Sequence, residues 1–108
     1  MLQKFWLKLA LIISVPLLAL SLMAYMVDSG LRKSNHTVLA DWNALFNAKI
    51  NADLLVLGSS RAAFHISPYI LDSTLHLNSY NLGMSAWRFD MQWTRFKLYL
   101  EHNKAPKY

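Results

Sequence analysis

The strongest constraint on the fold is an uncharged run of 19 residues, LALIISVPLLALSLMAYMV, at positions 9–27. As a helix this run is about 28 Å long, which matches the hydrocarbon thickness of a bilayer. Pro16 lies inside it, and a membrane helix tolerates a proline there when neighbouring groups satisfy the freed carbonyl. The run therefore predicts one membrane-spanning helix in contact with lipid, with residues 1–27 forming a cytoplasmic tip and anchor.

The charges that flank this run predict its orientation. Lys4 and Lys8 precede it, whereas Asp28, Arg32 and Lys33 follow it. The positive-inside tendency then places the amino terminus in the cytoplasm and residue 28 onward outside it. This predicts a single-pass protein of the plasma (inner) membrane.

Two alternatives compete with the anchor. A cleavable signal peptide would have a shorter apolar region and small residues before its cleavage site, which residues 23–27 do not offer cleanly. A buried core helix is disfavoured because the uncharged run is so long. The uncleaved anchor is the preferred interpretation.

The remaining composition argues against several classes of partner. The formal net charge of +5 is scattered without a dense basic tract, so nucleic-acid binding is not predicted. The chain has no cysteine, and its four histidines lack the paired spacing of metal ligands. We therefore predict neither a metal nor another cofactor. The histidines concerned are His36, His65, His76 and His102.

Beyond the anchor, the hydrophobic pattern alternates between helical and strand-like segments. Residues 28–52 read as a polar connector and a short amphipathic helix, and residues 53–108 as an α/β domain. The order helix, strand, helix, strand, helix is typical of parallel strands joined by crossovers. The predicted elements of that domain are a buried strand at 54–57, a short helix with Ser67 as N-cap and Pro68 as first residue, a second strand ending at Gly83, and a long helix from a Ser85 N-cap to about His102.

The long helix carries two apolar stripes, although a surface helix needs only one. Such a pattern predicts burial between two layers, or a neighbour that this sequence does not contain. Three tryptophans, Trp42, Trp87 and Trp93, fall in helical stripes and are predicted to pack in the core. The two stripes are Phe89, Trp93, Phe96 and Leu100 on one side, and Trp87, Met91 and Leu98 on the other.

Chemistry is suggested where the first strand ends in Gly58-Ser59-Ser60-Arg61. Ligands of α/β folds meet the carboxyl ends of the strands, and a glycine there allows a sharp turn and close approach. Ser60 would then present its hydroxyl at a strand-to-helix transition. Gly83, after the second strand, could supply a main-chain N–H to the same place. A simple turn is the alternative interpretation.

The two blocks VLGSSR and YNLGMSA resemble those of the SGNH (GDSL-like) hydrolase superfamily, in particular its membrane-anchored bacterial members. The resemblance covers about residues 53–102. It implies that Ser60 is the catalytic serine and that Gly83 is the oxyanion glycine, while Ser59 replaces the aspartate common in the first block. It also implies a flavodoxin-like fold, of which this chain would hold the first βαβα part, and a serine esterase or acyl-transfer activity. Acyl esters on an envelope glycan or polymer would be the substrates.

The later blocks of that family do not occur in the sequence. Its oxyanion asparagine and its Asp-x-x-His base have no counterpart here, and a serine without a base is a poor nucleophile. Asp72 and His76 are one residue too far apart and lie between the first two blocks.

We therefore expect an N-terminal portion that is inactive by itself and requires the missing C-terminal part of its domain, or a partner protein. One alternative is a non-enzymatic single-pass membrane protein with a small partner-binding α/β module. Another is a truncated reading frame without a function of its own.

Overall fold

The computed structural model describes residues 1–108, except for the side chain of Thr37. It divides into two compact units, residues 1–35 and 36–108. The first unit contains α1 (Leu2–Arg32). The second contains α2 (Thr37–Phe46), β1 (Leu54–Val56), α3 (Ser60–His65), α4 (Pro68–Leu75), β2 (Ser79–Asn81) and α5 (Phe89–His102).

Helix α1 is long and apolar enough to cross a membrane, although a signal sequence meets the same criteria. It has no buried residue of its own and includes Pro16. The connector predicted to begin at residue 28 is wrong in its first turn, because the helix continues to Arg32. An ion pair one turn apart, with Arg32 Nε 2.7 Å from Asp28 Oδ2, stabilises this extension. Only residues 33–36 separate α1 from α2.

The second unit contains a small parallel sheet, as predicted. Leu54 pairs with Ser79, and Val56 pairs with Asn81. The single crossover helix expected between the strands is instead two short helices, α3 and α4. Helix α4 has the predicted Ser67 N-cap and begins at Pro68, whose fixed φ suits a first helical position.

A further segment lies along the other edge of β1. The N–H of Tyr108 donates to the Asp53 carbonyl at 3.0 Å, and the Tyr108 carbonyl accepts from the N–H of Leu55 at 3.1 Å. These two hydrogen bonds, to the residues before and after Leu54, are the pattern of a parallel ladder. Since the carbonyl of Val56 bonds to β2, through the N–H of Leu82, the two neighbours occupy opposite edges of β1.

The core of this unit lies between α2, the sheet and α5. Its largest fully buried apolar side chains are Leu45, Ile50 and Leu82, joined by Tyr99. Helix α2 ends at Phe46, earlier than the amphipathic pattern to residue 50 suggested. Ala48 has a φ of 55°, a left-handed conformation that a continuing helix excludes.

Helix α5 differs most from the prediction. It begins at Phe89 rather than after Ser85, because Ala86 has a φ of 61°. It buries neither apolar stripe but the polar flank between them, Gln92, Arg95 and Tyr99. Core packing of Trp93 is therefore wrong, since this side chain is 50% exposed. Trp42 and Trp87 are half-buried.

Candidate functional site

The turn after β1 brings Ser60 to the first position of α3. Ser59 is the N-cap residue and is exposed, whereas Ser60 is half-buried. A Cβ on Gly58 would lie 2.6 Å from the Cβ of Ala62, well inside van der Waals contact. Only glycine therefore lets the strand pass this close to the helix that carries Ser60.

The side-chain amide of Gln92 forms two hydrogen bonds with the main chain of Gly58. Its Nε2 donates to the Gly58 carbonyl at 2.5 Å, and its Oε1 accepts from the Gly58 N–H at 3.2 Å. Gln92 is 7% exposed, so both bonds are shielded from water. The end of β1 is thus fixed by a side chain from α5.

The second glycine turn contacts the first. The N–H of Met84 donates to the Gly58 carbonyl at 2.9 Å. A Cβ on Gly83 would lie 2.7 Å from the main-chain nitrogen of Ala63 and 2.9 Å from Asn81 Oδ1. The structure therefore brings the Gly83 segment against the first turns of α3, where Ser60 lies.

Asn81 organises this contact, a role that the sequence analysis missed. Its Nδ2 donates to the carbonyls of Ala62 and Ile66 at 2.7 and 2.8 Å, joining the end of β2 to α3. Its Oδ1 accepts from the Gly83 N–H at 2.8 Å. This is an Asx turn, and an asparagine two residues before a glycine at a strand end is the signal that could have indicated it. The N–H assigned to the oxyanion is thus bonded to Asn81 in this structure.

Asp72 and three of the histidines have structural roles in the folded unit. Asp72 Oδ1 accepts from the N–H of Ser79 at 2.6 Å, and His76 ends α4 in a left-handed conformation. The His65 ring nitrogen Nδ1 lies 3.2 Å from the Arg61 carbonyl, and the His102 ring packs on Phe46. Among the described residues, no group of three or more histidine, cysteine or acidic side chains is placed to hold a metal ion.

A polar cluster of buried Arg95 with half-buried Asp41 and Tyr80 supports the sheet from the α2 side. The Tyr80 hydroxyl donates to Asp41 Oδ1 at 2.7 Å, and burial together with this bond raises the pKa of Tyr80. Arg95 is completely buried; its Nη1 donates to the Leu82 carbonyl at 2.6 Å, and its guanidinium lies 4.6 Å from the centre of the Trp42 ring. Burial lowers the pKa of Arg95. The sequence analysis did not identify this cluster.

A cavity of about 880 Å³ opens beside the second glycine turn. Its polar wall is formed by β2, Gly83, Ser85 and Asp41. The lining does not include Ser60, but it includes Ala63 and Phe64 of the same helix. Its apolar wall consists of Val38, Ala63, Phe64, Ile66, Pro68 and Met84.

Comparison of the chain with protein-family models, with curated proteins and with solved structures found no match.

Proposed function

We propose that the second unit carries the nucleophile half of a serine acyl-ester site, with Ser60 as nucleophile. The contact between the two glycine turns is the observation that carries this proposal. Met84 bonds to Gly58, and Gly83 fits against Ala63 only because it lacks a side chain. Two strand-end turns that meet beside the helix beginning at Ser60 fit the arrangement that the resemblance to SGNH hydrolases implies.

The order of the main-chain neighbours in the sheet supports the same proposal. Segment 107–108 and β2 flank β1 on opposite edges, which gives the order 2-1-3 when that segment is counted third. This is the beginning of the order found in flavodoxin-like doubly wound sheets. In such sheets the ligand lies outside the carboxyl ends of the strands, where Gly58 and Ser60 are found.

The reaction would be acyl transfer through a covalent intermediate. The Ser60 hydroxyl oxygen would attack an ester carbonyl carbon and give up its proton to an imidazole base, which then protonates the departing alcohol. Water or a second hydroxyl would release the acyl group. The 108 residues contain no Asp-x-x-His block, so we infer that this base comes from outside them. Gly83 could donate to the oxyanion only if Asn81 released its N–H.

The topology belongs to the same proposal. We infer that α1 is an uncleaved anchor with Lys4 and Lys8 on the cytoplasmic side. The unit that carries Ser60 would then face acyl esters of the envelope outside the cytoplasm.

Ester hydrolysis by the full-length product of the gene would test the nucleophile. With a short-chain p-nitrophenyl ester, Ser60→Ala should lower kcat/KM by about 10³-fold or more, as loss of a serine nucleophile does. Ser59→Ala changes the exposed neighbour and should retain most of the activity. Full activity in Ser60→Ala would refute the assignment.

A second candidate function is a partner-binding module without catalysis. It is favoured by the exposed stripe on α5, where Phe89 is 82% and Trp93 is 50% exposed. Apolar side chains exposed in this way commonly mark an interaction surface. Two results together would replace the first function by the second. Ser60→Ala and Ser59→Ala would both leave ester hydrolysis unchanged, and Trp93→Asp would abolish co-purification of a stoichiometric partner.

A further inference from the structure

The 880 Å³ cavity lies within a short reach of α1 along the chain. Val38, which lines it, is six positions after Arg32, so the two are at most about 21 Å apart. Asp28 to Arg32 adds one helical turn of about 6 Å beyond the uncharged run, comparable to the headgroup layer of a bilayer. A membrane-spanning α1 would therefore hold this cavity close to the lipid surface.

The polar side chains on the β2 wall are already satisfied within the protein. The Tyr80 hydroxyl donates to Asp41, and the Ser79 hydroxyl donates to the Pro68 carbonyl at 3.2 Å. Asn81 uses its Nδ2 and Oδ1 for α3 and Gly83. These three side chains are therefore committed to contacts within the protein, and Asp41 and Ser85 are the other polar residues of the lining.

The opposite wall is apolar and open to the surroundings. Val38 is 48%, Phe64 75% and Ile66 38% exposed, although all three line the cavity. Tyr69 and Ile70, which follow the lining residue Pro68, are 82% and 62% exposed. Apolar side chains thus extend from inside the cavity onto the adjoining surface.

We propose that this cavity holds the hydrocarbon chain of a lipid from the membrane that α1 spans. Its volume is in the range of small-molecule binding sites, and an apolar chain needs none of the polar groups that the wall has committed. The exposed apolar side chains at the opening offer such a chain a continuous apolar path from the cavity onto the adjoining surface. This inference rests on the proposed anchor α1 but not on the proposed nucleophile, because binding of the hydrocarbon chain does not require Ser60.

Photo-crosslinking of the full chain in phosphatidylcholine vesicles tests the proposal. A diazirine at the end of the acyl chain should give adducts on residues 63–68 in addition to α1. A diazirine on the headgroup should label residues 63–68 much less. Adducts confined to α1 with the acyl-chain probe would overturn the proposal.

Two variants separate occupation of the cavity from adhesion to its surface. Ala63→Phe keeps the wall apolar but fills space, and should reduce the adducts on residues 64–68 by about tenfold while those on α1 persist. Ile66→Asp places a charge beside the hydrocarbon chain and should have a similar effect. Leu75→Asp is the matched control, because Leu75 is 49% exposed on α4 and is absent from the lining. Undiminished adducts in both cavity variants, or equal loss in the control, would contradict the proposal.

Discussion

The side-chain amide of Gln92 pairs with both main-chain polar atoms of Gly58. Its oxygen accepts the glycine N–H and its nitrogen donates to the glycine carbonyl, so α5 fixes the end of β1 as a neighbouring strand would. The same carbonyl receives the N–H of Met84. One residue, Gly58, therefore joins β1, the second glycine turn and α5, two positions before the serine that we propose as nucleophile.

Loss of this pairing should weaken the whole unit. Gln92→Leu leaves the Gly58 N–H without its partner, which we expect to cost about 1–3 kcal/mol of unfolding free energy. Urea denaturation of the full chain in mild detergent, followed by tryptophan fluorescence, measures this loss. Lys97→Leu, at an exposed position of α5, is the control and should change stability by less than about 0.5 kcal/mol. Equal effects of the two substitutions would show that the pairing is unimportant.

The close fit of the second turn predicts a strong effect at Gly83. In Gly83→Ala the new Cβ would meet the main chain of Ala63, so we expect a loss of about 1–3 kcal/mol in the same denaturation experiment. Gly30→Ala is the control, because a Cβ there would have no neighbour within 4 Å outside its own helix turn. It should leave the transition of residues 36–108 unchanged. Normal stability of Gly83→Ala would mean that the two turns do not pack as described.

Acid should weaken the contact between segment 107–108 and β1. Lys107 Nζ lies 2.9 Å from Asp53 Oδ1, and this bond, together with the N–H of Asn78, lowers the pKa of Asp53. A lowered pKa in the folded state stabilises the protein above the unfolded pKa of about 3.9, and this contribution disappears as the pH falls through the lower, folded value. Wild type should therefore exceed Asp53→Asn in stability at pH 7, and the difference should shrink below about pH 4. A difference that is independent of pH would contradict the pairing.

Membrane orientation can be tested independently of catalysis. The proposed topology places residues 36–108 in an oxidising compartment, so a reporter enzyme that requires disulfides, fused after Tyr108, should be active. Changing both Lys4 and Lys8 to Glu should produce mixed orientations, since the positive charges before the span are lost. A fusion that is produced in normal amount but whose reporter is inactive would refute the proposed topology.

Local patterns predicted the elements whose signals lie within a few consecutive residues. The aliphatic run before Gly58 indicated β1, and the pair Ser67-Pro68 indicated the start of α4, because each signal acts within a few residues. The buried face of α5 was not predictable in this way. Apolar periodicity favoured Phe89 and Trp93, but the structure buries Gln92 and Arg95.

The physical reason is long-range pairing. Gln92 and Arg95 are buried because they meet main-chain groups of Gly58 and Leu82, which lie 34 and 13 positions away. Hydrophobicity carries no information about such partners. The Asn81 bonds that join β2 to α3 were missed for the same reason, although the Asn-x-Gly spacing was visible. The meeting of the two glycine turns was anticipated, because the carboxyl ends of parallel strands in an α/β fold lie at one edge of the sheet.

Covalent labelling tests the central claim most directly. The full-length product of the gene is treated in native membranes with a fluorophosphonate, a reagent that reacts with activated serines. The tryptic peptide of residues 50–61 is then fragmented to separate Ser59 from Ser60. We predict a single adduct on Ser60, lost in Ser60→Ala and retained in Ser59→Ala. Absence of label from Ser60 in the wild type, or an unchanged adduct in Ser60→Ala, would contradict the account.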